Sequence, residues 1–185
     1  KTMGQLSFAL SISIFLIYAL LASQFESFIM PIIIIGSIPL ALIGVIWGLV
    51  ILRQPIDIMV MIGVILLAGV VVNNAIVLLD FVASMRQKGV PLREALIEAG
   101  GSRLRPILMT TLTTVLGWIP MALAIGGGSA GYYQGMAIAV MFGLSFSTLL
   151  TLIFIPVLYL IVEEAKEKRA EKKKKNVEKE KAKMA

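Results

Sequence analysis

The stretch AGVVVNNAIVLLDF sets Asn73, Asn74 and Asp80 within or at the edge of a run otherwise free of polar side chains. In a lipid solvent an amide or carboxylate is costly unless it faces protein or water, so such residues mark a place where something polar is met. Asn73 and Asp80 are seven positions apart, and a helix turning about 100° per residue brings such a pair within about 20° of each other around its axis. One stripe holding both can therefore face a helix bundle, with Asn74 at its border. Asp80 is the sole acidic residue within the apolar spans and the only intrinsic candidate for carrying a proton. Its place near the end of its run also suits a hydrated, structural carboxylate beside Arg86 or Lys88, and this second reading is the one the sequence favours.

A second cluster lies in RLRPILMTTLTTVLGWIP, where Thr110, Thr113, Thr114 and Gly117 share a face by their spacing of three and four residues. Threonine hydroxyls there can bond back to carbonyls of their own helix, or can hold water and partner side chains across a bundle. Spacing alone leaves both open.

Enzyme chemistry finds little else to use. The chain has no cysteine and no histidine, which removes disulfides, thiolate metal sites and the usual general base. Ser145, Ser147 and Thr148 have no base nearby in sequence, and no Ser/His, paired-aspartate or metal-ligand arrangement exists. The loop IGGGSAGYYQG lacks the lysine of a phosphate-binding loop and reads as a tight turn. The chain is therefore expected to be no enzyme and to carry no cofactor or metal.

The elements that must position these residues follow from composition. Of 185 residues, 58% are hydrophobic and 15% charged, with a mean hydropathy of +0.94, against about 45–50% apolar and about 25% charged in soluble domains. Acidic residues ahead of the tail are confined to Glu26, Asp57, Asp80, Glu94 and Glu98. The long uncharged runs between them predict an all-α integral membrane protein with five spans, at about 4–22, 28–52, 58–83, 106–125 and 133–162. Each approaches or exceeds the roughly 20 residues that cross a bilayer core. The first lacks a strongly basic leader and a clear cleavage site, so it is read as a retained helix. Residues 91–100 predict a short separate helix, with Pro91 suited to its first turn, Leu92, Leu96 and Ala99 along one side, and glycines at its end. It is either an interfacial helix along the membrane surface or a soluble connector.

Arg86, Lys88, Arg93, Arg103 and Arg105 fall between the third and fourth spans, and ten of the 17 Lys and Arg residues lie from Lys166 to Lys183. The positive-inside bias puts both regions in the cytoplasm and, with five crossings, the N-terminus outside. Residues 163–185 then form a charged cytoplasmic tail beside an anionic leaflet. Without aromatic residues to stack bases, that tail does not read as a nucleic-acid binder despite a net charge of +6. Gly44 and Gly48 form a small-xxx-small pair that reads as ordinary tight packing ahead of a dimerisation face.

Four long motifs in order, QFESFIMPIIIIGSIPLALIG, MIGVILLAGVVVNNAIVLLDF, SRLRPILMTTLTTVLGWIPMALAIGGGSAG and GMAIAVMFGLSFSTLLTLIFIPVLYL, resemble the carboxy-terminal transmembrane block of resistance-nodulation-division (RND) transporters, in the hydrophobe and amphiphile efflux branch. The resemblance implies helices eight to twelve of a twelve-helix protomer of the bacterial inner membrane, working as a trimer that exchanges protons for substrate. It further implies an amino-terminal half with porter domains and a pair of aspartates, and, as wider partners, a periplasmic adaptor and an outer-membrane channel. Carried onto this sequence, the residues that assist the aspartates are Asn73 and Asn74 on the tenth helix and Thr110 and Arg103 on the eleventh. Asp80, Thr113 and Thr114 stand as secondary positions. Well-known drug exporters have a lysine at the first tenth-helix position, whereas Asn73 can hydrogen-bond a carboxylate but cannot switch charge. With no aspartate pair in this chain, proton-coupled export is expected of an assembly and not of the chain alone. The alternative is a detached membrane scaffold or regulatory subunit that binds another membrane protein without transport.

Overall fold

The computed structural model describes the backbone of residues 2–125 and 128–184, and side chains within 3–125 and 131–163 and at Ala165. Among the described residues six α-helices follow one another: α1 (Thr2–Phe25), α2 (Ile29–Ile35), α3 (Ser37–Ile51), α4 (Ile58–Gln87), α5 (Leu92–Ala122) and α6 (Gln134–Met184), with a 3-10 turn at Gly128–Tyr133. Among the described residues there is no strand. The tight turn expected at 126–131 lies partly outside the described residues, as do the side chains of the tail from 166 onward.

Four stretches are long and apolar enough to cross a membrane: Met3–Phe25, Ile29–Ile51, Ile58–Gln87 and Gly131–Glu163. They coincide with four of the five expected spans. The fifth differs, because 106–125 is not a helix of its own but the second half of α5. That helix runs unbroken through Gly100, Gly101 and the ring of Pro106, so the short helix expected at 91–100 is its first three turns. The only left-handed glycine is Gly89, at φ +85°, among the described residues. Gly89 makes the turn out of α4, whereas Gly100 and Gly101 keep helical geometry and end nothing. Pro91 stands just outside α5 with φ −56° and ψ 145°, the extended conformation in which proline precedes a helix start. Threonines, three arginines, two glutamates and two prolines dilute the hydropathy of α5 below that of the other four stretches.

The expected second span is broken once. Pro39 has no N–H for the carbonyl of Ile35, and α2 hands over to α3 at Gly36, whose own N–H still reaches Ile32 O at 3.0 Å. Ser37, fully buried, donates its hydroxyl to Ile34 O at 2.6 Å and covers a carbonyl near the break. At the start of α4 the Asp57 carboxylate accepts the Val60 N–H at 2.8 Å and caps the helix.

Helix α6 is the hub and packs most extensively against α3, then α4 and α5. The α3 contact depends on glycine. A Cβ on Gly44 would lie 2.5 Å from Phe146 Cβ, and one on Gly48 2.5 Å from Phe142 Cγ. The small-xxx-small pair thus serves close packing within the chain. Helix α1 sits at the margin against α2 and α4, with Phe8 and Phe15 each 67% exposed.

Candidate functional site

Helix α4 buries Val71, Val72, Ala75, Leu78, Leu79 and Val82 against the rest of the chain. The opposite stripe carries Asn73 and Asp80, both exposed, with Asn74 half-buried at its edge. The two polar residues therefore share a face, as their spacing predicts, but that face points away from the chain's own bundle. The reason is compositional: α4 has one continuous aliphatic face, and in burying it the helix turns its amides outward.

The groove between α4 and α5 brings Asn73 and Asn74 together with Thr110 and Thr114 around a volume of about 190 Å³. Val70, Val77, Pro106, Ile107 and Leu144 complete its apolar walls, and Thr111 reaches it from the α6 side. No charged side chain lines it among the described residues. Three α5 hydroxyls, those of Thr110, Thr113 and Thr114, bond back to their own helix. Thr110 Oγ1 donates to Ile107 O at 2.9 Å and approaches Pro106 O at 3.2 Å. Thr114 Oγ1 donates to Thr110 O at 2.8 Å, and Thr113, which does not line the groove, donates to Met109 O at 2.8 Å. A threonine whose hydrogen is committed in this way still has lone pairs to offer. The groove can thus give amide N–H groups to a carboxylate, and hydroxyl and amide oxygens to a protonated acid.

Thr111 is the residue that spacing misses. It is buried and meets Thr148 of α6 hydroxyl to hydroxyl at 3.1 Å, pinning α5 so that Thr110 and Thr114 border the groove. Below that contact on α6, Ser147 and Thr151 pair at 3.4 Å. The available signal was Thr148 itself, a hydroxyl on a very apolar helix that needs a partner.

Arg103 lies outside the groove lining. Its guanidinium carbon sits 4.6 Å from the centroid of the Phe81 ring, a cation–π contact joining α5 to α4 beside Asp80. Its Nε is buried and has no hydrogen-bond partner among the described residues. At the other end of α5, Gln134 donates Nε2 to Ala122 O at 2.9 Å, and Gln54 Nε2 reaches Gln134 Oε1 at 3.4 Å. That pair ties the last turn of α5 to α6 and to the α3–α4 loop.

Among the described residues the arrangement is all-helical, with apolar helices long enough for a multi-pass membrane protein and a polar groove at the edge of the bundle. Residues 1–163 match the AcrB/AcrD/AcrF family, and the chain belongs to that family of RND transporters. It is 40% identical over 165 residues to the swarming motility protein SwrC of Bacillus subtilis (strain 168), covering 89% of this chain and 16% of that protein. It is 39% identical over 153 residues to the multidrug resistance protein MdtC of Erwinia amylovora (strain ATCC 49946 / CCPPB 0273 / Ea273 / 27-3), covering 82% and 15%. Among solved structures it superposes on a heavy metal efflux pump, crystal form II, with a TM-score of 0.78 at 32% identity, over 88% of this chain and 16% of that one. The chain thus spans about a sixth of the length of the relatives it matches.

Proposed function

We propose that this chain is the C-terminal membrane-embedded part of a proton-motive-force-driven exporter of drugs and other hydrophobic compounds, and that the α4–α5 groove is its share of the proton-coupling site. In this reading α5 makes the fifth crossing, the N-terminus lies outside, and the tail lies on the cytoplasmic side of the bacterial inner membrane. The observation that carries the reading is the outward-facing groove of Asn73, Asn74, Thr110 and Thr114, which holds hydrogen-bonding groups and no titratable one. Such a surface complements carboxylates supplied by another segment. The paired aspartates and porter domains of an amino-terminal half fit that need, in a trimer with a periplasmic adaptor and an outer-membrane channel as further partners.

When an aspartate of the facing segment is ionised, Asn73 and Asn74 donate to it. When it is protonated, its O–H donates to Thr110 or to an asparagine oxygen. Because Asn73 keeps its charge of zero through the cycle, the proton rides on the aspartates alone, and this chain orients them. No enzymatic step and no cofactor enters, since the energy source is the proton gradient.

The test is export of a fluorescent amphiphile from proteoliposomes holding the assembled transporter, with and without an imposed pH gradient. Export should require the gradient and should fall about tenfold in Asn73→Leu, the equivalent of one well-formed hydrogen bond to a charged group. Export that continues without a gradient, or an Asn73→Leu variant that pumps as well as the parent, overturns the reading.

A further inference from the structure

A second hollow is larger than the polar groove. It lies between the first turns of α5 and the distal part of α6, has a volume of about 480 Å³, and is lined by Arg93, Leu96, Ile97, Pro156, Val157 and Leu160. Apart from Arg93 every lining side chain is apolar. Ile97 is 76% exposed at its rim, an arrangement that water would penalise and a lipid environment would not.

The groove continues along α6. Leu149, Ile153, Val157 and Ile161 recur every fourth residue and all are at least half exposed, so they form one outward apolar rail about 18 Å long at about 1.5 Å per residue. At the Arg93 end, the sequence beyond α6's apolar part opens with Glu163 and Glu164 and carries ten Lys and Arg residues against six Glu from Glu163 to Lys183, a net excess of basic charge. Cationic charge thus gathers at one end of an apolar track, the pattern that recruits anionic headgroups at a cytoplasmic leaflet.

We propose that this groove is a binding site for an anionic phospholipid, whose phosphate sits at Arg93 and whose acyl chain lies over Leu96, Ile97, Val157 and the α6 rail. A guanidinium suits the phosphate because its planar N–H groups can bond two oxygens at once. The inference rests on the membrane placement proposed above, with this end cytoplasmic, and not on proton coupling. A lipid clamped here would hold the start of α5 against α6.

The test uses the full chain in nanodiscs of phosphatidylcholine doped with trace phosphatidylglycerol or phosphatidylcholine bearing a photoreactive acyl chain, with crosslinked peptides identified by mass spectrometry. The anionic probe should label 93–97 and 156–161 about fivefold over the zwitterionic probe, the worth of one basic side chain at an anionic surface. Arg93→Gln should erase that preference and Arg93→Lys should keep most of it, while circular dichroism verifies that both remain helical. Ending the chain at Glu164 should reduce general enrichment of phosphatidylglycerol but leave the groove labelling. Equal labelling by both probes, labelling spread evenly over α1 and α3, or a preference that survives Arg93→Gln but disappears with the tail overturns the proposal. So do displacement by excess inorganic phosphate, which would mark a free-anion site, and a crosslinked dimer through Ile97, which would mark a contact between copies. Gradient-driven export decides the proposed function separately.

Discussion

Thr111 and Thr148 meet hydroxyl to hydroxyl at 3.1 Å in the buried seam between α5 and α6. Successive residues on a helix are about 100° apart, so seating Thr111 on α6 leaves Thr110 and Thr114 at the α4 groove. One buried hydrogen bond thus sets the rotation of the helix that carries the site.

Thr111→Val keeps the shape and removes one hydroxyl, leaving Thr148 buried with its partner gone. Interhelical hydrogen bonds of this kind in membranes are worth about 0.6 kcal/mol on average and up to about 1.7. A loss in that range is expected in unfolding by graded denaturing detergent. Thr111→Val with Thr148→Val should recover part of it, because replacing both partners leaves no orphaned hydroxyl. A double variant no better than the single would deny the pairing.

The α3–α6 seam gives a sharper contrast. Gly48→Val must displace the Phe142 ring and Gly44→Val the Phe146 stem, and overpacking of this sort costs about 1–3 kcal/mol or more. Gly117→Ala, with nothing within 4 Å of the added carbon, should be neutral or slightly stabilising through helix propensity. Thermal aggregation midpoints of the variants in detergent should separate the two groups clearly.

These contrasts indicate how far the sequence reaches. Hydropathy marks α1, the α2–α3 pair, α4 and α6 because lipid demands long apolar runs, and Asn73, Asn74 and Thr110 stand out because polarity there is costly. Pro39 signals a weak point in the second span because proline lacks an N–H, but the unbroken passage through Gly100, Gly101 and Pro106 is hidden, since it turns on local backbone geometry that packing selects. The four threonines of TTLTT look alike in a string, and only the position of α6 tells buried Thr111 from its neighbours. Nor does periodicity say which way the Asn73–Asp80 stripe points. That depends on the aliphatic face of α4 winning burial within this chain.

Gln134 should act as a clasp. Gln134→Leu removes its bond to Ala122 O and releases Gln54, so the last turn of α5 loses its tie to α6. Amide hydrogen exchange at residues 118–125 should rise several-fold while exchange in the middle of α6 stays unchanged. Uniformly faster exchange along the whole chain would mean global destabilisation in place of a local clasp.

At Thr110 the chemistry of the proposed coupling groove can be split from packing. Thr110→Ser retains the oxygen that accepts from a protonated acid, whereas Thr110→Val retains the bulk and loses it. In the assembled transporter, gradient-driven export should persist in the serine variant and drop about fivefold or more in the valine variant, on the scale of about 1 kcal/mol for one hydrogen bond. Equal export by both would show that the oxygen takes no part.

Arg103 and Phe81 form the remaining link between α4 and α5 near Asp80, with the guanidinium carbon 4.6 Å from the ring centroid. The buried Nε has no hydrogen-bond acceptor among the described residues, so the ring face does much of the work of keeping this cation in place. A planar guanidinium can stack on the ring, while a lysine ammonium is a point charge with a larger hydration shell. Phe81→Leu keeps the apolar bulk and removes the quadrupole, and Arg103→Met keeps the stem and removes the charge. A double-mutant cycle on detergent unfolding should return a coupling of about 0.5–2 kcal/mol between the two positions, the range for exposed to desolvated cation–π pairs. Arg103→Lys should retain less than half of that coupling. Additive losses in the cycle would reduce the contact to simple packing of the arginine stem against the ring.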